Sequence, residues 1–227
     1  MNSFIITAGG IGKRMGAKVP KQFLLLQDKP ILMWTIEVFY NYDQNAQLIV
    51  TLPKEWWSFW EELCQKNNFN IPHELIEGGK ERFHSIQRAL KVVKGDKVAI
   101  HDGVRPLVSV KTLENCFKAL EKSDAVVPVL PLKESLRKGT LEKSISQDRS
   151  LYFTAQTPQC FTAEIIKKAY QQEFQKLFTD DASVVETLDY PVLLVYGNEE
   201  NIKITSPLDL KMAEVFLNST DTSTPKI

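Results

Sequence analysis

The chain has 227 residues, of which 43% are apolar, and this size and composition suit one globular domain with a sizeable core. Its 28 basic residues balance its 28 acidic residues, so no overall field favours nucleic acids or anionic membranes as partners. No apolar run approaches the ~20 residues that span a bilayer, and no signal-peptide pattern precedes the first strand, so we predict a soluble, cytoplasmic protein.

The first predicted element is a short buried strand, residues 4–6, which leads directly into a glycine-rich loop. The loop contains Gly9, Gly10 and Gly12, whose missing Cβ atoms let a ligand approach the backbone closely. Arg14 and Lys21 lie in the same segment. Bare amide donors together with fixed cations favour a polyphosphate ligand.

Two common phosphate-binding motifs do not fit this loop. A Walker loop requires Ser or Thr after Gly-Lys, and Arg14 stands at that position. The dinucleotide fingerprint requires a third glycine where Met15 stands, and Gly16 comes one place late. These mismatches argue against a Walker ATPase and against an NAD-dependent enzyme.

Short β-rich runs then alternate with amphipathic helical patterns. We predict strands over residues 47–52, 97–101, 125–130 and 192–196, and helices over residues 31–40, 55–66, 81–93 and 111–122. The alternation predicts an α/β fold, a Rossmann-like, mostly parallel twisted sheet with helices on both faces. Because ligands in such sheets bind beyond the carboxyl ends of the strands, we expect the glycine loop, Asp102 and residues 197–203 at one edge.

Two segments depart from this alternation. Residues 132–152 are rich in charge and hydroxyls, with a turn predicted at Lys138-Gly-Thr140, and they fit either a solvated loop or an inserted arm. The last helix is predicted to start at Ser206 and Pro207 and to end near residue 217. We therefore predict a single domain over residues 1–217 and a flexible tail over residues 218–227.

Several conspicuous residues are predicted to be structural. The three tryptophans within residues 56–60 are expected to pack in the core or to form a partly exposed aromatic face, and His101 is expected to be a buried histidine with satisfied ring nitrogens. Glu81 and Arg82 are expected to form an ion pair at a helix start, with a position of Arg82 near the nucleotide as the alternative. The three cysteines are far apart, odd in number and without metal-ligand spacing, so we predict free thiols.

The chain resembles the nucleotidylyltransferases that build sugar- and alditol-nucleotides, and among them most closely the 2-C-methyl-D-erythritol 4-phosphate cytidylyltransferase family. Besides the glycine loop, the segments that match in order are residues 78–85 (Gly-Gly-Lys-Glu-Arg-Phe-His-Ser), 101–106 (His-Asp-Gly-Val-Arg-Pro), 157–159 (Thr-Pro-Gln), 179–183 (Thr-Asp-Asp-Ala-Ser) and 201–205 (Asn-Ile-Lys-Ile-Thr). The resemblance thus covers nearly the whole chain. It implies transfer of CMP from CTP to 2-C-methyl-D-erythritol 4-phosphate with release of pyrophosphate, a step of the non-mevalonate isoprenoid pathway. It also implies Mg²⁺ as cofactor and a homodimer in which residues 132–152 form a protruding, swapped β-arm.

The resemblance further implies residue roles. Arg14 and Lys21 would stabilise the triphosphate, and Asp102 would bind the metal ion. Lys203 would position the acceptor phosphate together with Arg149, which a swapped arm would bring to the neighbouring subunit's site. The nucleotide would be held by Ala8, Gly9, Gly10, Gly12, Gly79, Lys80 and Ser85, and the polyol phosphate would be contacted by Arg105, Ser135, Thr157 and Thr179. Lys80 stands where the family often has an acidic residue, which leaves the base preference dependent on main-chain contacts.

Alternative functions remain open at this point. A ribitol-5-phosphate cytidylyltransferase shares the glycine loop and the Thr-Pro-Gln motif, whereas the threonine-acidic pair at 179–180 favours the methylerythritol enzymes. Segment 78–85 is of the pyrimidine type and disfavours guanylyl or adenylyl transfer. A catalytically silent nucleotide-binding module on the same fold is a different class of function. Its hallmark would be the loss of Arg14, Lys21, Asp102 or Lys203, all of which are present.

Overall fold

One eight-stranded sheet organises the computed structural model, which describes residues 1–10 and 19–220. The strands are β1 (Asn2–Thr7), β2 (Leu25–Leu26), β3 (Lys29–Pro30), β4 (Gln47–Leu52), β5 (Glu74–Glu77), β6 (Lys97–Asp102), β7 (Ala125–Pro131), β8 (Leu136–Gly139), β9 (Ser144–Gln147), β10 (Phe153–Ala155), β11 (Gln159–Thr162) and β12 (Leu193–Tyr196). The helices are α1 (Ile31–Tyr42), α2 (Trp57–Lys66), α3 (Arg82–Leu90), α4 (Val110–Ala119), α5 (Ala163–Ala169), α6 (Asp181–Glu186) and α7 (Pro207–Thr220). The predictions for Gly12 and Arg14 lie outside the described residues.

The first strand occupies the middle of the sheet. β1 pairs in parallel with β4 on one side and with β6 on the other, and β5 extends the sheet beyond β4. In this register Thr7 faces both Thr51 and Asp102, so the carboxyl ends of the three strands lie level at one edge. The chain segments that leave these strand ends are therefore brought together.

One antiparallel segment interrupts the parallel order. β11 runs antiparallel to β6 and to β7, and β10 also runs antiparallel to β7. β12 pairs in parallel with β7 at Val126 to Val129. The prediction of a mostly parallel sheet is confirmed, and the antiparallel β10 and β11 and the edge strand β5 were not predicted.

Helices cover both faces of the sheet, as predicted. Side chains alternate along a strand, so Phe4 and Ile6 point to one face and Ile5 to the other. The first face packs against α1, α2 and α4, through residues such as Ile36, Trp60 and Phe117. The second packs against α3, α5 and α6, through residues such as Ile86, Ile166 and Val185. Burial on both faces explains why these strands are almost continuously apolar.

The arm segment forms a separate β-hairpin. Among residues 1–10 and 19–220, β8 and β9 pair only with each other, and most of residues 132–152 are exposed. The hairpin turns just after Gly139, whose φ of 143° is in the region that favours glycine, and Thr140 N–H donates to the Lys143 carbonyl. The prediction of a β-structured arm is confirmed in the single chain.

The last helix and the cysteines can also be compared with their predictions. Ser206 Oγ accepts from Asp209 N–H at the start of α7, and the helix continues through residues 218–220, which we had assigned to the tail. The three cysteines are free thiols, as predicted. Within residues 1–10 and 19–220, no helix is both long and apolar enough to cross a membrane.

Candidate active site

A cavity opens at the carboxyl ends of β1, β4 and β6, and we call it the strand-end cavity. It collects segments far apart in the sequence, as the alternation of strands and helices predicted. Its lining residues are Thr7, Ala8, Gly9, Gly10, Lys21, Gln22, Thr51, Gly79, Lys80, Glu81, Arg82, Ser85, Asp102, Val104 and Lys203.

The start of the glycine loop is fixed by hydrogen bonds at the end of β1. Ala8 N–H donates to the Thr51 carbonyl over 2.9 Å, and the buried Gln22 side chain donates to the Ala8 carbonyl over 2.6 Å. A Cβ built on Gly10 would lie 3.7 Å from Lys21 Cε. The Lys21 side chain therefore runs alongside the loop, which places its charge at the cavity wall.

The opposite wall is the turn before α3. The Ser85 hydroxyl accepts from Gly79 N–H over 2.9 Å and contacts the Glu81 carbonyl at 3.3 Å. A Cβ at Gly79 would lie only 2.4 Å from His84 Cβ, so this turn closes only around a glycine. Lys80 follows on the cavity lining.

Asp102, at the end of β6, is surrounded by three cations. Its carboxylate oxygens lie 3.0 Å from Lys203 Nζ, 3.3 Å from Arg105 Nε and 3.6 Å from Arg82 Nε. Burial alone would favour the neutral acid, but the charges of Arg82, Lys203 and Arg105 hold the pKa of Asp102 well below its usual range. Asp102 is thus a fixed anion facing the cavity, with a surplus of positive charge around it.

Lys203 reaches Asp102 because the segment that contains it is tied to β6. Arg105 Nη1 donates to the Asn201 carbonyl over 2.6 Å, and Ile204 N–H donates to the Val104 carbonyl over 2.9 Å. The Asn201 side chain, fully buried, donates to the Thr157 carbonyl over 2.8 Å. The prediction that residues 197–203 and Asp102 share one edge is confirmed.

His101 is a structural histidine, as predicted. It is 0% exposed, Nε2 lies 2.9 Å from the Arg105 carbonyl, and Nδ1 lies 3.1 Å from Thr157 Oγ1. Since a carbonyl only accepts, Nε2 carries the proton and Nδ1 accepts from the Thr157 hydroxyl. Burial lowers the pKa of His101 to about 4, so the ring is neutral near pH 7.

All four residues assigned to the polyol phosphate, together with Arg149, lie away from the cavity lining. Thr157 is 6% exposed. Its Oγ1 also accepts a hydrogen bond from Asp102 N–H over 3.1 Å, so it helps to hold the Asp102 backbone in place. Arg105 lies behind Asp102, and Thr179 lines a neighbouring groove beside Phe174 and Phe178. Ser135 and Arg149 are exposed on the arm, where Arg149 donates to the Lys133 carbonyl.

Arg82 is the cavity-lining side chain whose expected ion pair is wrong. It pairs with Asp181 and not with Glu81, through two bonds of 2.7 Å each. The two residues are 99 positions apart, so no local pattern could reveal the pair. Gln22 and Thr51 were also missed as lining residues. Gln22 directly follows Lys21 in the sequence, and this position next to a predicted site residue could have identified it as a lining residue.

The sequence and the structure are similar to those of known cytidylyltransferases. A family model described as 2-C-methyl-D-erythritol 4-phosphate cytidylyltransferase matches residues 3–219. Proteins of that name from Bacteroides fragilis and Phocaeicola vulgatus are 49% and 47% identical over 214 residues, which cover 94% of this chain and 98% of each relative. The crystal structure of 4-diphosphocytidyl-2C-methyl-D-erythritol synthase from Anaerococcus prevotii matches with a TM-score of 0.82 at 26% identity, covering 96% of both chains.

Proposed function

Because the chain belongs to the 2-C-methyl-D-erythritol 4-phosphate cytidylyltransferase family, we propose that it transfers CMP from CTP to 2-C-methyl-D-erythritol 4-phosphate. The reaction releases pyrophosphate and is a step of the non-mevalonate isoprenoid pathway. The observation that carries the proposal is the strand-end cavity, in which a glycine loop, Lys21, Lys203 and the ionised Asp102 meet.

In this reaction the protein has to position the two substrates and to supply positive charge near their phosphates. An oxygen of the acceptor phosphate attacks the α-phosphorus of CTP, and the bond between the α-phosphorus and its bridging oxygen to the β-phosphate breaks. The leaving group is pyrophosphate, and because the acceptor oxygen attacks the α-phosphorus directly, no covalent bond to the protein forms. Lys21 along the glycine loop and Lys203 beside Asp102 lower the repulsion between the two anionic substrates and stabilise the charge on the leaving group. We assign Arg14 to the same task.

The nucleotide base is read by the two turns that line the cavity. Ala8, Gly9, Gly79 and Lys80 offer main-chain groups, and Ser85 holds the Gly79 amide in place. Gly79 leaves no room for a side chain beside His84, so the turn closes tightly at this wall. A narrow slot between the two turns would accept a pyrimidine and exclude a purine. Since the readout is main-chain, the basic side chain of Lys80 is compatible with it.

Asp102 suits a magnesium site. Mg²⁺ takes one or two protein carboxylates and completes its coordination with water and substrate phosphates. Asp102 provides one carboxylate that is ionised and borders the cavity, which fits this demand, and within the described residues no cluster of three or more metal-binding side chains exists. Bound there, the ion would neutralise charge on the phosphates. Asp102→Asn is expected to lower turnover and weaken its Mg²⁺ dependence, and an unchanged metal titration would contradict this assignment.

The second substrate requires more than the cavity of one chain. Lys203 lies at the cavity edge, whereas Ser135 and Arg149 project on the exposed arm. A homodimer with swapped arms would bring Arg149 to the neighbouring subunit's acceptor phosphate, and we propose this assembly, working in the cytoplasm. The exposed Leu151 and Phe153 at the base of the arm support it, because they offer apolar surface for a partner.

Pyrophosphate release tests the function. The chain is incubated with CTP and Mg²⁺ and with either 2-C-methyl-D-erythritol 4-phosphate or ribitol 5-phosphate. We expect release with the first acceptor only. Release with ribitol 5-phosphate alone would keep the phosphate chemistry and overturn the pathway. Binding of CTP without release on either acceptor would favour the silent module.

A further inference from the structure

A buried carboxylate holds Arg82 at the edge of the strand-end cavity. Asp181, the first residue of α6, is 0% exposed, and its two oxygens accept from Arg82 Nη1 and Nη2 over 2.7 Å each. The Tyr170 hydroxyl donates to the same carboxylate over 2.5 Å. A buried charge is tolerated when paired and hydrogen-bonded in this way, so the guanidinium has one well-defined orientation.

The rest of the Arg82 guanidinium is turned toward the cavity. Its side chain is 32% exposed, and its Nε lies 3.6 Å from Asp102 Oδ1. Of its five N–H bonds, two go to Asp181, and within the described residues Arg82 donates no other hydrogen bond. Although burial opposes the charge, Asp181 and Asp102 raise the pKa of Arg82, so it stays a cation.

Arg82 lies between two halves of the site. It lines the strand-end cavity together with Gly79, Ser85 and Lys203, and it also lines the groove that contains Thr179. Asp102 already has Lys203 and Arg105 within 3.3 Å, so its charge does not require Arg82 as well. A fixed cation with unused donors at this junction is a site for a phosphate oxygen.

We propose, resting on the function proposed above, that Arg82 binds a phosphate oxygen at this junction and that Asp181 is its positioning residue. The oxygen belongs to the α-phosphate of CTP or to the phosphate of the acceptor, the two groups that must meet there. Asp181 draws two donors of the guanidinium away from Asp102. Without it, Arg82 would turn its forked end toward Asp102 and the donors would be lost to the substrate.

Three variants test the proposal. Asp181→Asn keeps the shape of the side chain and removes the charge that orients Arg82. Arg82→Lys keeps a cation and removes the planar fork. Asp180→Asn is the matched control, because asparagine also caps a helix and Asp180 contacts Ser183 and Gln159 instead of Arg82. Each variant is assayed below its melting temperature for kcat and both KM values, and its affinity for CTP and for 2-C-methyl-D-erythritol 4-phosphate is measured by calorimetry.

We expect Asp181→Asn and Arg82→Lys to lower kcat/KM by about 10- to 100-fold, or about 1.4–2.8 kcal/mol, with Asp180→Asn within about 2-fold of wild type. A weaker calorimetric affinity for CTP would identify the α-phosphate as the ligand. An unchanged affinity for CTP with a raised KM for the acceptor would identify the acceptor phosphate. Either result supports the proposal.

Two results would overturn it. One is kcat/KM within about 2-fold of wild type in both folded variants. The other is an equal loss in Asp180→Asn, which would show that only the helix start matters. If wild type itself releases no pyrophosphate with either acceptor, the proposed function fails. The role of Arg82 is then decided by titration with CTP and with 2-C-methyl-D-erythritol 4-phosphate, at least one of which Arg82→Lys must bind more weakly than wild type.

Discussion

The Thr157 hydroxyl offers a sharp test of how the site is built, because one atom makes two buried hydrogen bonds. Its Oγ1 accepts from Asp102 N–H and donates to His101 Nδ1, each over 3.1 Å. Thr157→Val keeps the shape and leaves both partners unsatisfied. At about 1–3 kcal/mol for each of the two buried orphan groups, we expect the free energy of unfolding to fall by about 2–6 kcal/mol. For a chain of this size the melting temperature would fall by roughly 4–24 °C.

Thr157→Ser is the matched control for that substitution. It retains the hydroxyl and removes one methyl group, which costs about 1 kcal/mol. Melting is followed by circular dichroism, and turnover by pyrophosphate release at a temperature where both variants are folded. If Thr157→Val melts at the temperature of Thr157→Ser but shows a raised KM for the acceptor, the threonine contacts substrate and the supporting role is wrong.

Three other predictions concern charge and assembly. Lys21→Ala should lower turnover by about 10²–10³-fold with an unchanged melting temperature, and near-normal turnover would remove Lys21 from the site. Because the folded-state pKa of His101 lies near 4, below the unfolded value of about 6.5, the unfolded state takes up the proton first as the pH falls. Stability is therefore complete above about pH 6.5 and falls by up to roughly 3 kcal/mol toward pH 4, and His101→Gln should lose less over that window in urea titrations; equal slopes would contradict the assignment. Mixed Arg149→Ala and Lys21→Ala subunits should recover part of the activity if arms are swapped, and no recovery despite proven subunit exchange would argue against the arm.

The parts of the fold that could be read from the sequence are those set by local pattern. The apolar run ending at Asp102 predicted both a buried strand and a charged group at its carboxyl end, because strand length and side-chain type are local properties. Edge strand β5 escaped prediction, since its four residues, Glu74–Glu77, carry only two apolar side chains. β11 escaped as well, because four residues give little periodicity to read.

The candidate site divides in the same way. The glycine loop after β1 and Lys203 could be placed at one edge of the sheet because each follows a predicted strand, whereas the turn at Gly79 was assigned from the resemblance alone. Thr157 and Arg82 could not, because their partners are fixed only by tertiary packing. Thr157 supports Asp102, 55 positions away, and Arg82 pairs with Asp181, 99 positions away. The matched motif alone thus does not show whether a polar residue contacts the substrate or supports a neighbouring side chain.

Identification of the product by ³¹P NMR tests the central claim most directly. The chain is incubated with CTP, Mg²⁺ and 2-C-methyl-D-erythritol 4-phosphate, and the phosphorus spectrum is recorded until CTP is consumed. We predict two coupled diphosphate resonances from cytidine joined to methylerythritol, together with one equivalent of pyrophosphate. CMP with unchanged acceptor would show hydrolysis instead of transfer, and a spectrum that stays that of CTP and free acceptor would contradict the account.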